Sequence, residues 1–219
     1  MEERAREVGN NGREEEAAGA EVGVPGRRAE WRPRPVRILA VSGSLRTASS
    51  NTALLRAAAR LAPEGVEVIL YEGLASLPHF NPDLDDLDAG TAPPAVMDFR
   101  SRLDASDGVL ISSPEYAHGV PGALKNAIDW VVSSGEIYEK PVALLNASMA
   151  ATHAYASLAE TLTTADANLI EEASVRVGLP TNRMDEAGIL ADPKISGELR
   201  EAVAALTRAI ELRRAATDG

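Results

Sequence analysis

The sequence predicts an α/β domain in which helices cover both faces of a parallel sheet. Short apolar runs rich in β-branched residues recur from residue 36 onward, and helical segments separate them. Such runs are typical of strands buried on both faces, and strands that alternate with helices form right-handed βαβ units. The length of 219 residues suits one such core, preceded by a tail.

The elements can be placed in order along the chain. Five strands are predicted, at residues 36–41, 66–71, 108–112, 141–146 and 174–177. Helices are predicted between them, at residues 51–61, 94–103, 121–132 and 154–165. A last helix is expected to begin at Ser196 as its N-cap and to bury Leu199, Val203, Leu206 and Ile210. Residues 1–21 have almost no large apolar side chain, and Trp31 is the lone large apolar residue of 1–35, so this segment is expected to form a disordered tail, which leaves 36–219 as the domain.

Composition excludes several classes of function. The chain has no cysteine, so it has no disulfide framework, thiolate metal site or cysteine nucleophile. A net charge of −11 argues against nucleic acid and anionic membrane surfaces as partners. The apolar runs are too short to span a bilayer and the charged N-terminus is unlike a secretory signal, so a cytoplasmic location is expected.

The loop after the first strand has the composition of an anion site. It leads into a helix N-terminus, where unpaired N–H groups face outward, and it carries several hydroxyl groups and Arg46. It matches neither the P-loop nor the Rossmann pattern, so a single terminal phosphate fits better than a triphosphate or a dinucleotide. Gly43 would allow close backbone approach, and Asn51 would either cap the helix or donate its amide. The alternative is an ordinary capped helix with an exposed arginine.

The loop after the third strand is the second candidate wall of a site. Residues 114–122 contain Gly119 and Gly122, which would let the backbone approach a flat ligand, and Tyr116, which could meet a ring system. Pro121 is expected at the first helical position. Trp130 lies well into the helix that follows and is expected to anchor the core.

Two motifs in this order resemble a known family. GSLRTASSN at residues 43–51 and SSPEYAHGVPGALKNAIDW at 112–130 are similar to the NADPH-dependent FMN reductases, which include bacterial quinone and chromate reductases. The resemblance covers residues 36–177. It implies a flavodoxin-like three-layer sandwich with a five-stranded parallel sheet in the order 2-1-3-4-5. It also implies FMN as the cofactor and a homodimer or homotetramer.

The resemblance assigns site residues. Ser44, Arg46, Ser49 and Asn51 match the loop that binds the FMN phosphate, while Pro114, Glu115, Tyr116 and Ala117 match the loop that binds the isoalloxazine ring. Ser148 matches a third family loop, which follows the fourth predicted strand at residues 147–154. That loop has Ala150, His153 and Ala154 where relatives have glycines, so it is expected to follow another course, with Thr152 as a candidate helix cap. A surface or capping role is favoured for His153, and no metal site is predicted.

The activity implied by the resemblance is flavin-mediated electron transfer. Hydride would pass from NADPH (or NADH) through FMN to a quinone-like, flavin or other small acceptor, and no protein side chain is assigned as catalytic. Two alternatives remain at this stage. One is a flavodoxin-type electron carrier that does not oxidise nicotinamide itself, and the other is a non-enzymatic sensor or interaction module that has kept the fold.

Overall fold

A computed structural model describes residues 34–86, 90–181 and 184–217. The tail predicted for residues 1–35 lies outside the described residues except for Arg34 and Pro35. In the described part of the chain, no helix is long and apolar enough to cross a membrane.

The sheet is parallel throughout and has the predicted order. Its strands are β1 (Val36–Ser42), β2 (Val66–Tyr71), β3 (Gly108–Ser112), β4 (Pro141–Asn146), β5 (Asn168–Leu169) and β6 (Val175–Arg176). They are arranged β2-β1-β3-β4-β5, with β6 also paired to β4. The predicted order 2-1-3-4-5 is therefore confirmed, with a sixth strand attached.

The outer strand beside β4 differs from the prediction, which placed one strand at residues 174–177. β5 pairs with Pro141 and Val142 at the start of β4, and β6 pairs with Leu145 and Asn146 at its end. A short 3₁₀ turn separates β5 from β6, and the Ser174 hydroxyl accepts the Leu144 N–H at 3.0 Å across this gap. Between β5 and β6, a side chain therefore replaces the backbone partner of β4. A search for apolar runs in the sequence cannot predict such a contact.

Helices cover both faces and make the three layers. They are α1 (Ser50–Leu61), α2 (Pro94–Asp104), α3 (Gly122–Val132), α4 (His153–Thr164), α5 (Glu186–Ala191) and α6 (Pro193–Thr217). One core lies between the sheet and α1, α5 and α6, and the other lies between the sheet and α2, α3 and α4. Along β1, Ile38 and Ala40 face the first core while Leu39 and Val41 face the second, as expected for strands buried on both sides. Trp130 is fully buried in the second core, which confirms its role as an anchor.

Four of the five predicted helix starts differ from the structure, by one residue at α1, α3 and α4 and by more at α6, and α5 was missed. Helix α6 begins at Pro193, three residues before Ser196, because the Asp192 carboxylate accepts the N–H groups of Lys194 and Ile195 at 2.9 and 3.1 Å. Pro121 lies at the N-cap of α3 rather than at its first helical position. The four expected core residues of α6 are all buried.

Candidate active site

Three loops meet at the carboxyl edge of the sheet and enclose a cleft of about 360 Å³. They follow β1, β3 and β4, the segments in which a parallel α/β sheet binds ligands. Eight of the nine residues assigned from the resemblance line this cleft, namely Ser44, Arg46, Ser49, Asn51, Pro114, Glu115, Tyr116 and Ser148. The ninth, Ala117, does not. Ser50, Asn146, Ala147, Ala150 and Ala151 complete the lining.

The wall after β1 presents donors at the start of α1. Ser49 is the N-cap, and its hydroxyl accepts the Thr52 N–H at 3.3 Å. Ser44, Ser49 and Asn51 are each 8% exposed, so their polar groups are held in place rather than freely hydrated. The exposed Arg46 guanidinium makes no ion pair with any described residue and is available to an anion. Together with the helix N-terminus, this wall has the features of a phosphate site.

The two roles left open for Asn51 are now separated. Ser49 caps the helix, whereas the Asn51 Oδ1 accepts a hydrogen bond from the Ser112 hydroxyl at 2.9 Å. The Asn51 Nδ2 donates to no residue that the structure describes and belongs to a side chain that lines the cleft. Asn51 therefore offers a donor to the cleft.

The protein's own packing requires a glycine at position 43. A Cβ at this position would lie 2.7 Å from the Ser113 Oγ and 3.0 Å from the Leu124 Cδ2. Its N–H also donates to the Ser112 carbonyl at 2.8 Å, which extends the pairing of β1 with β3 into the loop. Because Gly43 has no side chain, the loop after β1 can pack directly against the loop after β3.

The loop after β3 folds into a tight two-residue turn. Tyr116 and Gly119 exchange backbone hydrogen bonds at 3.1 and 2.9 Å, and the residues between them, Ala117 and His118, have φ values of 50° and 61°. Positive φ at both central positions is the type I′ geometry, which favours Asn and Gly. Gly119 and Gly122 both have room for a Cβ and neither has positive φ, so the protein's own packing does not require a glycine at either position. The turn leaves Tyr116 half exposed at the cleft.

Glu115 connects the second loop to the third. Its Oε2 accepts the Ala154 N–H at 2.8 Å, in the first turn of α4. Thr152 occupies the N-cap position there, but its side chain makes no capping bond. The Glu115 carboxylate supplies the cap from a distant loop and carries negative charge to the positive end of the helix dipole.

The third loop is held by side chains instead of glycines. The Asn146 Nδ2 donates to the Ala151 carbonyl at 2.7 Å, and its Oδ1 accepts the Ser148 N–H at 2.9 Å. The Ser148 hydroxyl in turn accepts the Ala150 N–H at 3.3 Å. No residue from 147 to 154 has positive φ, so the loop does follow a path that non-glycine residues adopt without strain.

The rings of His118 and His153 are in contact, although the two residues lie far apart in the sequence. Their rings stack with centroids 4.3 Å apart and planes 20° from parallel, joining the second loop to α4 at the surface. This agrees with the surface role favoured for His153. Within the described ranges, no three His, Asp or Glu side chains are placed to hold a metal ion.

Comparison with known proteins settles the family. The family model described as NADPH-dependent FMN reductase matches residues 36–178, close to the range predicted from the motifs. The chain belongs to this family. Membership makes it an oxidoreductase with FMN as cofactor and NAD(P)H as electron donor, and it does not favour an electron carrier without nicotinamide turnover.

Individual relatives support the same assignment. An NAD(P)H-dependent FMN reductase of Pseudomonas aeruginosa is 34% identical over 176 residues, which are 78% of this chain and 93% of the relative. An NADPH:quinone oxidoreductase of Arabidopsis thaliana is 41% identical over 114 residues, 51% of this chain and 57% of the relative. Among solved structures, the flavoenzyme NAD(P)H:(acceptor) oxidoreductase FerB of Paracoccus denitrificans matches with a TM-score of 0.63 and 30% identity, over 80% of this chain and 97% of FerB.

Proposed function

We propose that this reductase binds FMN in the three-loop cleft and reduces a quinone-like, flavin or other small acceptor with electrons from NADPH or NADH. The observation that carries the proposal is the wall of buried donors at the start of α1, beside an arginine without an ion pair to any described residue. FMN, when bound, supplies the hydride chemistry. The quinone class of acceptor is supported by the relatives named as quinone reductases.

The residues assigned to the cleft form two groups, one for the phosphate and one for the ring of FMN. Ser44, Arg46, Ser49 and Asn51 would bind the phosphate through hydroxyl, guanidinium and amide donors. Pro114, Glu115, Tyr116, Ala117 and Ser148 would position the ring, with Ala117 acting through the shape of the turn because it does not line the cleft. The donor set fits a phosphate group, since Arg46 and Glu115 are the two charged residues of the lining and Glu115 is already engaged by α4.

The assembly and location are part of the same proposal. We expect a cytoplasmic homodimer or homotetramer, in which a second copy contributes to the rim of the cleft. The half-exposed Leu45, Tyr116 and Met149 around the three loops are apolar surface that such a partner would cover. Light scattering of the purified chain measures the oligomeric state directly.

The first experiment is a binding and reduction assay on the purified chain. It should bind FMN and lose the visible absorbance of oxidised flavin when NADPH is added without oxygen; the same measurement with NADH gives the donor preference. A chain that binds no FMN, or whose bound flavin stays oxidised with both donors, contradicts the proposal.

A pair of arginine variants tests the phosphate site. Arg46→Ala should weaken FMN affinity by roughly 10- to 100-fold, because charge-assisted hydrogen bonds contribute about 1.5–3 kcal/mol. Arg56→Ala is the matched control, since Arg56 is an exposed arginine on α1, the helix that follows the Arg46 loop, and does not line the cleft. Equal losses in both variants would indicate a general charge effect instead of a phosphate contact.

A further inference from the structure

Ser112 is a fully buried serine whose hydroxyl makes one hydrogen bond to a described residue. It is the last residue of β3 and is 0% exposed. Its carbonyl accepts the Gly43 N–H, and its hydroxyl donates to the Asn51 Oδ1 at 2.9 Å. Ser112 does not line the cleft, and its hydroxyl has no partner but Asn51 among the described residues, so an effect of that hydroxyl on a ligand would pass through Asn51.

The buried Ser112 hydroxyl favours one orientation of the Asn51 amide, because its proton has no other acceptor among the described residues. If the amide were flipped, the hydroxyl could still accept from Nδ2, but its own proton would be buried without a partner. An asparagine side chain carries an acceptor oxygen and a donor NH₂ group, and rotation about its last bond exchanges them. With Oδ1 held by the Ser112 hydroxyl, Nδ2 is the end left for the cleft, and it has no acceptor among the described residues. A donor attracts a phosphate oxygen, whereas a carbonyl oxygen in the same place would repel it.

A second serine, Ser42, also contacts the first turn of α1. Ser42 pairs with Ser112 in the last rung between β1 and β3, and its hydroxyl lies 2.8 Å from the Thr52 Oγ1. The two neighbouring serines thus contact successive residues, Asn51 and Thr52, in the first turn of α1. Ser42 contacts Thr52, and the orientation of the Asn51 amide depends on Ser112.

We propose that Ser112 is a positioning residue for the phosphate of the flavin, because its hydroxyl holds the Asn51 amide with Nδ2 toward the cleft. The inference rests on the proposed function. It assigns to a buried residue of β3 part of the discrimination between FMN and riboflavin, the analogue that lacks the phosphate.

The test compares FMN with riboflavin binding by quenching of flavin fluorescence. Ser112→Ala should raise the Kd for FMN by roughly 3- to 10-fold and change the Kd for riboflavin by less than about twofold. Asn51→Ala should produce a similar or larger selective loss, and adding Ser112→Ala to it should have no further effect on FMN. Asn51→Asp, which keeps an acceptor for Ser112 but turns a charged oxygen to the phosphate, should lose more FMN affinity than Asn51→Ala.

Ser106→Ala is the matched control. Ser106 precedes β3 at the other edge of the sheet, is 8% exposed, and also loses one buried hydroxyl bond, to the Leu103 carbonyl. It should lower thermal stability without changing the ratio of the two Kd values. If Ser112→Ala weakens FMN and riboflavin equally, leaves both unchanged, or adds to Asn51→Ala, the positioning role is wrong. A wild-type chain that binds no FMN refutes the proposed function itself, which is a distinguishable outcome.

Discussion

Replacing Asp107 by asparagine tests what holds the amino edge of the sheet to the segment that enters β1 and to the end of α6. Asp107 directly precedes β3 and is 9% exposed. Its carboxylate accepts from both terminal nitrogens of Arg34 at 3.1 and 2.7 Å, from Arg214 Nε and Nη2 at 3.2 and 2.5 Å, and from the Arg37 N–H at 2.8 Å. One carboxylate therefore joins the entry to β1, the start of β3 and the end of α6.

Asp107→Asn keeps the shape of the side chain but removes its charge and one acceptor oxygen. Breaking a buried pair costs about 3–5 kcal/mol, whereas exposed pairs contribute about 0–1 kcal/mol. The side chain of Arg34 is 64% exposed and that of Arg214 is 24% exposed, so this cluster lies between these limits. We expect a loss of about 2–3 kcal/mol, and a Tm lower by roughly 5–10 °C for a domain of this size.

The pH dependence of this loss has a defined sign. Burial acts to raise the pKa of Asp107, but the hydrogen bonds from Arg34, Arg214 and the Arg37 N–H outweigh it and hold the pKa below its ordinary value. The unfolded chain therefore takes up the proton first as the pH falls. The stabilisation is fully present above the unfolded pKa, about 3.9, and is lost as pH falls through the folded pKa.

The assay is urea unfolding at several pH values, which measures the free energy of unfolding of the wild type and of Asp107→Asn. The difference in the free energy of unfolding should be constant near neutral pH and should shrink in acid. Glu67→Gln is the control, because Glu67 pairs with Arg37 at 3.4 Å with both side chains half exposed, and it should cost less than about 0.5 kcal/mol. A neutral-pH loss for Asp107→Asn as small as that of the control, or a difference that grows in acid, refutes the reasoning.

Three further predictions concern the loops around the cleft and use the same unfolding assay. Gly43→Ala should destabilise by about 1–3 kcal/mol through the clash with Ser113, and an additional Ser113→Ala should recover part of the loss; no recovery would locate the strain elsewhere. Glu115→Gln should cost about 0.5–1 kcal/mol, because it removes charge from the N-terminus of α4, and a cost independent of salt would argue against this cause. Ala117→Gly should stabilise by up to about 1 kcal/mol, because it relieves a positive φ, whereas Ala150→Gly, at a position without positive φ, should destabilise.

The fold followed from local pattern because its strands are buried on both faces. In β1, β3 and β4 nearly every residue is apolar and buried, so the runs stand out in the sequence. β5 consists of Asn168 and Leu169 alone, and its pairing depends on the edge of β4 rather than on its own composition. The start of α6 was misplaced for a related reason, since Asp192 and Ser196 are both good caps and only the structure decides between them.

The sequence predicted which loops line the candidate site, but it did not predict the hydrogen bonds that join those loops to one another. Motif resemblance located eight of the lining residues, since each wall is a continuous segment of chain. Asn146 was missed although it ends a predicted strand, because its role depends on the loop that folds back over it. The Glu115 bond to Ala154 joins residues 39 positions apart, and no spacing rule indicates such a contact.

The connections divide the cleft into two parts that can be perturbed separately. The first part is the phosphate wall, where Ser112 and Asn51 join β3 to the start of α1. The second is the ring wall, where Glu115 and the stacked histidines join the loop after β3 to α4. Because riboflavin keeps the ring and lacks the phosphate, a change in the phosphate wall should alter the ratio of FMN to riboflavin affinity. A change at Glu115 should shift both affinities together and leave that ratio as it was.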